Sequence, residues 1–587
     1  PYFTASAANV NFGYWSHDIG GFYEAATGEL YTRWVQFGVF SPIFRAHGFR
    51  RADIVKRFWN FGSPYFDAMR AALRMRIEWL PHIYSAARRA HDGAPSVLRP
   101  LYHEWPEHEA AYTYRSQYVF GGSSVVVAPV TKRSADDAPL ARSVPLWVPP
   151  GEWVQLHSGA TLRGPSHLLQ SLALDEIPLL VRAGSVVFGA PTAQVEWPHC
   201  AAAGAAGWVG RAQRAARCVQ ASIWVPADAV APGAPHREGE RTADGGEGWM
   251  YDDDGWSEAY REGAASWRSV RWARREGAHA AAAAGGGATG GGAKLLEVSL
   301  APATGCLRAT SEPGQPEEPA GTARAAALAG APQRSWRFLL YGVPPPLQVV
   351  LRRIQGTELT ANRTAASGSG GRGGAAGWGG ASVRGSGGAG GGATMDGAAS
   401  LPFLAPAAAE RLRRADSKVA HWSFSSERLC VVVHVFDAAH AEALSLTLRF
   451  TKSAATEYYY PESGMLGAMR RAQAAKMLLD ATYPDTQPQD YDQVTWLAGL
   501  GSRLSVVPAN FSREAAALPS LLEAARKQLA SEPSARASTA INKERVRNAT
   551  ALMLELSPVE DASDGSVHQV LAHETKTKVQ GDLTPRG

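Results

Sequence analysis

Cysteine is scarce in this chain: four residues in 587, at positions 200, 218, 306 and 430, with no CxxC pair and no metal-ligand spacing. They form no recognisable disulfide or metal framework and leave the redox compartment open. Long apolar runs are missing too. None approaches the roughly 18 residues that a membrane-spanning helix needs, and the best, Leu429-Cys430-Val431-Val432-Val433, has the length of a strand. Charge of one sign is also lacking. The net charge is +5, and no Lys/Arg block is interleaved with aromatics, which argues against a nucleic-acid partner. There is no internal repeat. The first residue is Pro1, and no charged segment followed by a signal-like apolar stretch comes after it. The expectation is therefore a fragment whose upstream part is missing.

What is present is enough for sizeable cores: 45% hydrophobic and 9% aromatic residues. Aromatics are dense over residues 1 to 130. "VNFGYW" reads as a strand ending at Asp18, with Gly20 and Gly21 freeing the backbone for a tight loop. "ELYTRWVQFG" reads as a helix with Leu30, Trp34 and Phe37 at helical spacing and Gly38 as its stop. "VFSPIFRAH" returns as a strand, so strand, loop, helix and strand make one βαβ unit, which favours a parallel pair. Ser63-Pro64 predicts another helix start, with a hydroxyl cap and a first-turn proline. Met69, Leu73, Ile77, Leu80 and Tyr84 are its expected stripe, with a kink or break at Pro81. "YVFGGSSVVVAPV" reads as a buried strand pair or a strand with a glycine turn.

From about 131 the texture becomes that of short strands. "SVPLWVPPGEWVQL" carries a Pro-Pro-Gly turn and "IPLLVRAGSVVF" an Ala-Gly turn, as in a small β-sandwich. "CVQASIWVP", "SWRFLLYGV" and "HWSFSSERLCVVVHVFDAAHAEALSLTLRF" continue that pattern. Two tracts rich in Ala, Gly and Ser, about 278–293 and 365–400, cannot bury enough apolar surface to offset backbone entropy and are expected to be disordered insertions. Residues 456–560 read as mainly helical and 561–587 as a disordered tail.

The chemistry-bearing pair is Asp18 and His47. A carboxylate at the carboxyl end of a strand in a βα array is where barrel enzymes keep their sites. Neighbouring strands lie about 5 Å apart, so both side chains could face one ligand. Trp15, Phe22 and Phe44 offer flat surfaces on which sugar rings stack, and Arg45 is placed to pin Asp18. The bland reading stays open on spacing alone: a strand-end Asp is often a loop cap, and a His after an apolar run is often structural. The acids of "YDDDG", Tyr251 to Gly255, read as a turn between strands rather than a Ca²⁺ loop, whose ligands alternate.

The run "YWSHDIGGF…ELYTRWVQFGVFSPIFRAH" closely resembles the late barrel strands of glycoside hydrolase family 31, the clan of α-glucosidases and α-xylosidases. Agreement continues through "RIEWLPHIYSAARRAHDGAPSVLRPLYHEWP", "QYVFGGSSVVVAPV", "IPLLVRAGSVV" and "MYDDDGWSEAY". The resemblance implies an α/β plus β fold: the carboxyl-terminal part of a (β/α)8 barrel over 1–130, a proximal β-sandwich over 131–192, a distal one over 193–455, and then the helical tail. It implies hydrolysis of terminal α-glucosides or α-xylosides with retention, on an α-linked oligosaccharide or glycoside, with no cofactor and no metal. Asp18, Phe22 and His47 match residues that line the sugar subsite beside the cleaved bond, with Trp15 and Arg45 in support. Trp15-Ser16-His17-Asp18 imitates the family's acid motif, but the following Ile-Gly-Gly-Phe and the distance to His47 place Asp18 in the later motif. Nothing here resembles the nucleophile motif. The expectation is that nucleophile and acid/base lie upstream of Pro1, that this chain alone is inactive, and that a partial barrel with unpaired edges is poorly soluble. A non-catalytic carbohydrate-binding protein, or a transglycosylase or glucan lyase of the same clan, is the alternative.

Overall fold

In the computed structural model the described strands form three β-sheets, with helices before and after them in the chain. The structure describes residues 1–22, 26–48, 56–134, 140–190, 218–226, 245–253, 258–275, 294–305, 333–343, 345–354, 398–405, 408–409, 411, 418–439, 442–450, 464–482, 491–531, 539–554 and 560–561. The predicted strands at either end of the first motif are not formed. After the short helix α1 (Tyr2–Ser6), residues 15–19 run parallel to 43–47 and make a single bridge, Ile19 to Ala46. Three backbone hydrogen bonds hold the pair: Ile43 N to Trp15 O at 3.4 Å, Ile19 N to Arg45 O at 3.3 Å and His47 N to Ile19 O at 3.0 Å. So short a ladder is not a strand, although its direction is the parallel one expected.

Between those segments lies α2 (Gly28–Gly38), capped by the Thr27 hydroxyl, which accepts from Leu30 N. Its buried face is not the expected stripe. Leu30 is exposed, whereas Tyr31, Val35 and Phe37 are buried together with Arg33 and Gln36. Two polar residues on the inner face disguise the helical period, because that face meets backbone carbonyls as well as apolar side chains.

The next helical stretch breaks where Pro81 demands it. Helix α3 (Tyr65–Glu78) ends at Trp79, and α4 (Leu80–His91) carries the proline in its first turn, where no amide donor is missed. The Ser63 hydroxyl does not cap α3: Pro64 holds the cap position without a side-chain hydrogen bond. Met69 of the expected stripe is buried, but Ile77 and Tyr84 are exposed.

The first sheet contains β1 (Leu98–Pro100), β2 (Tyr118–Phe120), β3 (Val125–Val127), β4 (Leu140–Gln155), β5 (Thr161–Ala173) and β6 (Leu179–Arg182), in the order β1-β2-β3-β6-β4-β5, with a short strand (Glu560–Asp561) on the β5 edge. Hairpin β2–β3 turns at Gly121 and Gly122, both with positive φ. The helix α5 (Glu109–Thr113) precedes it. The expected Pro-Pro-Gly turn is a bulge instead. β4 pairs with β5 at Val148–Ser166 and again at Gly151–Gly164, skipping the two prolines, which have no amide proton for the ladder.

The other two sheets face each other. One has the order β16-β17-β13-β8-β7: β7 (Val186–Gly189), β8 (Cys218–Trp224), β13 (Arg334–Tyr341), β16 (His421–Ser425) and β17 (Cys430–Ala438). The second holds β10 (Ala265–Arg275), β11 (Lys294–Leu300), β18 (Ala443–Phe450) and β14 (Gln348–Ile354) side by side, with β9 (Gly245–Asp253) and β12 (Thr304–Gly305) on β10 and β15 (Ala398–Leu401) beyond β14. Apart from β15, the second low-complexity tract lies outside the described residues, as do the first tract and 562–587. Thus β7, from the segment before 193, is an edge strand of the distal sheet, while the Ala-Gly turn at Ala183-Gly184 separates two strands that never pair.

The first of these two sheets is buried on both faces. Trp336, Phe338 and Leu340 of β13 point into the sandwich, whereas Leu339 and Tyr341 pack toward α2–α4. The same alternation runs along β17, with Val431, Val433 and Val435 inward and Cys430 and Val432 outward. That is why Cys430-Val431-Val432-Val433 reads as an unbroken apolar run. Cys430 is a buried free thiol with its pKa pushed by burial up to about 12, and Cys218 is disulfide-bonded.

After these sheets come α6 (Met465–Thr482), α7 (Asp492–Ala498), α8 (Leu500–Val506), α9 (Phe511–Ser531) and α10 (Ala540–Leu554). Their apolar faces share one core with the sandwich interior. Among the described residues no helix is long and apolar enough to cross a membrane.

Candidate functional site

Asp18 leaves the bridged segment just before two glycines. Gly21 N donates to Asp18 O at 2.9 Å, closing a tight turn in which Gly20 has φ +95° and Gly21 φ +71°. Gly20 is also sterically required, since a Cβ there would lie 2.7 Å from the Tyr31 ring. The turn is tied down from the other side: Lys56 Nζ donates to Gly21 O at 2.6 Å, and Tyr31 OH to Lys56 O at 2.7 Å.

Four of the five expected site residues meet. Arg45 forms an ion pair with Asp18 Oδ1, and His47 Nδ1 lies 3.6 Å from Asp18 Oδ2. The Phe22 ring sits 5.3 Å from the His47 ring, tilted by 31°. Asp18 is 43% exposed and His47 28%, so the pair opens to solvent. The ring contacts of Trp15, by contrast, are edge-on with Phe3 and Phe12. Phe44 packs toward Phe58 beneath Arg76. The Arg45 hydrogen bond holds the Asp18 carboxyl below the usual carboxylate range, and the Arg45 charge acts in the same direction. Asp18 is therefore ionised at neutral pH and accepts hydrogen bonds only.

His17 was not among the expected residues. Trp34 Nε1 donates to its Nδ1 at 2.9 Å, so the proton resides on Nε2, 2.9 Å from Ser41 Oγ. Its ring stacks on Phe37 at 4.1 Å. Burial lowers its pKa to about 4, which keeps it neutral. His17 thus pins the residue before Asp18 to α2. The only signal in the sequence is its place between Trp15 and Asp18.

The acids of "YDDDG" are engaged one by one. Asp252 pairs with Arg334, and Asp253 is reached by Tyr84 OH at 2.8 Å and Tyr251 OH at 2.8 Å. They end strand β9, and Asp254 lies outside the described residues. Among the described residues no three His, Cys, Asp or Glu side chains cluster as metal ligands would.

Known proteins resemble the part of the chain that carries this geometry. Residues 4–86 match the Glycosyl hydrolases family 31 TIM-barrel domain, and residues 94–187 the Glycosyl hydrolase family 31 C-terminal domain. Alpha-glucosidase 2 of Bacillus thermoamyloliquefaciens is 36% identical over 173 residues, covering 29% of this chain and 21% of that protein. Alpha-xylosidase of Saccharolobus solfataricus is 31% identical over 191 residues, covering 31% of this chain and 25% of that protein. A Flavobacterium johnsoniae GH31 dextranase complexed with glucose aligns with 76% of this chain and 41% of its own, at 18% identity and a TM-score of 0.49. The chain spans about a quarter or less of the length of these two curated relatives. Residues 4–187 are thus similar to glycoside hydrolase family 31, matching first its TIM-barrel domain and then its C-terminal domain.

Proposed function

We propose that residues 1–130 are the carboxyl-terminal part of the catalytic barrel of a retaining α-glycosidase acting on terminal α-glucosides or α-xylosides. In this reading Asp18, Phe22 and His47 line the sugar subsite, with Arg45 fixing Asp18 and Trp15 in support. The observation that carries the proposal is the convergence of Asp18 and His47, 3.6 Å apart on adjacent parallel segments, beside the Phe22 ring. An ionised carboxylate and an imidazole so placed suit sugar hydroxyls, and bonds of that kind discriminate because an unpaired partner is costly. The uncovered apolar side chains of Phe3, Phe12, Tyr14 and Trp59 support a barrel that continues past these residues.

We read this site as a binding site. Retaining hydrolysis needs two carboxylates about 5 to 5.5 Å apart, and the ion-pair partners of Asp18 among the described residues are Arg45 and His47. We therefore expect a glucose-like iminosugar to bind the purified chain saturably in calorimetry. Asp18→Ala should weaken it roughly tenfold to thirtyfold, the loss of about 1.5 to 2 kcal/mol of charge-assisted hydrogen bonding. The melting curve should scarcely move, because an exposed ion pair contributes about 1 kcal/mol at most. Equal binding by both forms would sink the proposal. The same preparation should not turn over an aryl α-glucoside, and turnover abolished by Asp18→Ala would overturn the division into binding and catalytic parts.

A further inference from the structure

We propose that Arg471, on helix α6 far along the chain, is a positioning residue for the Asp18 pocket, acting through Glu176 and Arg33. The inference rests on the sugar-subsite reading only for its consequence in binding; the mechanical linkage stands on its own geometry.

The first link is a buried two-pronged ion pair. Arg471 Nε donates to Glu176 Oε1 at 2.9 Å and Nη2 to Glu176 Oε2 at 2.8 Å, with a further bond from Nη2 to Ser171 O at 2.7 Å. Both side chains are less than a tenth exposed. Glu176 Oε2 also accepts from Ala173 N at 2.8 Å, so the carboxylate ties the turn after β5 to α6. The helix lies close enough for this because residue 467 is glycine: a Cβ there would sit 3.0 Å from the Ser158 backbone, and Gly467 N donates to Ser158 O at 2.9 Å.

In the second link, Arg33 of α2 reads the same turn from the opposite side. It donates to the carbonyls of Leu172 at 3.4 Å, Ala173 at 3.0 Å, Leu174 at 3.2 Å and Glu176 at 3.1 Å, and Gln36 Nε2 adds a bond to Leu174 O at 2.6 Å. The third link is α2 itself, whose Tyr31 ring backs Gly20 and whose Trp34 holds His17. The helix therefore touches the turn at 171–176 on one side and the Asp18 loop on the other.

Glu176 is surrounded by Arg471, His157 and Asp175, with Arg33 and Arg470 close by. Burial raises its pKa, but Arg471, helped by His157 and the Ala173 amide, more than offsets burial and brings it down to about 2. It therefore stays ionised across the neutral and mildly acidic range. Without Arg471 the burial effect prevails, and the carboxyl takes up its proton at higher pH.

The test compares full-length wild type, Arg471→Met and Arg471→Met/Glu176→Gln by amide hydrogen exchange with mass spectrometry. The single variant leaves a buried charge without its partner, so residues 171–176 and then 28–38 and 17–22 should exchange about tenfold faster, with 540–554 unchanged. Taken as protection relative to each amide's intrinsic exchange rate, that excess should shrink as pH falls from 7 toward 4 and Glu176 protonates, whereas wild-type protection stays flat over the same range. The double variant keeps an acceptor for Ala173 N without the charge and should recover most of the protection. Faster exchange confined to 465–482, or spread evenly over the chain, overturns the proposal, as does a pH-independent effect. Iminosugar titration of the same proteins separates the two readings. If exchange changes at 17–22 while wild type binds no sugar, the subsite reading has failed and the linkage stands. If wild type binds sugar but exchange at 28–38 does not move, the linkage has failed alone.

Discussion

An Arg428→Met variant should lose about 3 kcal/mol of stability to denaturant at neutral pH, the lower end of the roughly 3–5 kcal/mol expected when one member of a buried pair is removed. Glu78 closes helix α3 and is buried, whereas Arg428 comes from the turn between β16 and β17. The two are joined by Arg428 Nη1 to Glu78 Oε1 at 2.9 Å and Nη2 to Oε2 at 3.0 Å, and Gln220 Nε2 of β8 donates to Oε1 at 2.8 Å. Burial raises the Glu78 pKa, but Arg428 and then Arg337 more than offset it, so the net shift is downward and the group is charged. Removing Arg428 leaves that charge with an amide and a more distant guanidinium. The Arg428 side chain is 32% exposed, so water enters the space it leaves, which sets the cost at the lower end. A carboxylate lowered in this way contributes stability above its unfolded pKa of about 4.5, a contribution lost as pH falls through the folded value. The gap between wild type and variant should therefore close on acidification below pH 4.5. Adding Glu78→Met should restore most of the loss, as expected when both charges leave a buried site. An Arg428→Met protein with the wild-type denaturation midpoint at pH 7 would show that this pair does not join helices to sandwich.

Local signals carried as far as local chemistry decides the structure. Gly121-Gly122 produces the hairpin because a turn needs positive φ, and Pro81 splits the helix because its ring and missing amide allow nothing else. The continuous apolar run at 430–433 identifies a strand covered on both faces. Signals failed where a distant partner decides. The segments at 15–19 and 43–47 have strand-like composition, yet one bridge is all they form, because a parallel ladder exists only where neighbours continue it. The prolines at 149 and 150 read as a turn, but β5 keeps pairing on either side of them, so the chain bulges and goes on. The burial of Arg33 and Gln36 on α2 is not legible, because nothing near them in sequence reveals the carbonyls of residues 172–176. In the candidate site, Asp18, Arg45 and His47 are legible from a motif pair 29 residues apart. His17 is not, since its role is written in Trp34 and Ser41.

The same distinction makes Gly501 the position where a small change should cost most. Gly501 lies in α8, where propensity favours any other side chain except proline. Replacing it with valine would gain the helix only a few tenths of a kcal/mol. Against that gain stands the neighbour. A Cβ at 501 would overlap the carbonyl oxygen of Ser426, in the turn between β16 and β17, and approach Met469 Sδ to 2.8 Å. Met469 can change rotamer; the Ser426 carbonyl cannot, because Leu429 of the same turn donates its amide to Ser425 O at 3.0 Å with φ +48°. Relief requires moving α8 as a body, away from a core in which Leu500 and Leu504 are fully buried with Met469 and Leu497. Overpacking against backbone costs about 1–3 kcal/mol and occasionally more, and the branched side chain places Gly501→Val at about 3 kcal/mol. Gly501→Ala should fall between that variant and wild type in thermal melts. The order matters more than the size: propensity alone ranks alanine above glycine at this site, whereas close approach of α8 to the sandwich ranks glycine first. If Gly501→Ala melts higher than wild type, α8 does not rest on the Ser426 turn, and the helices after residue 464 are not packed against the sandwich in the way the buried core implies.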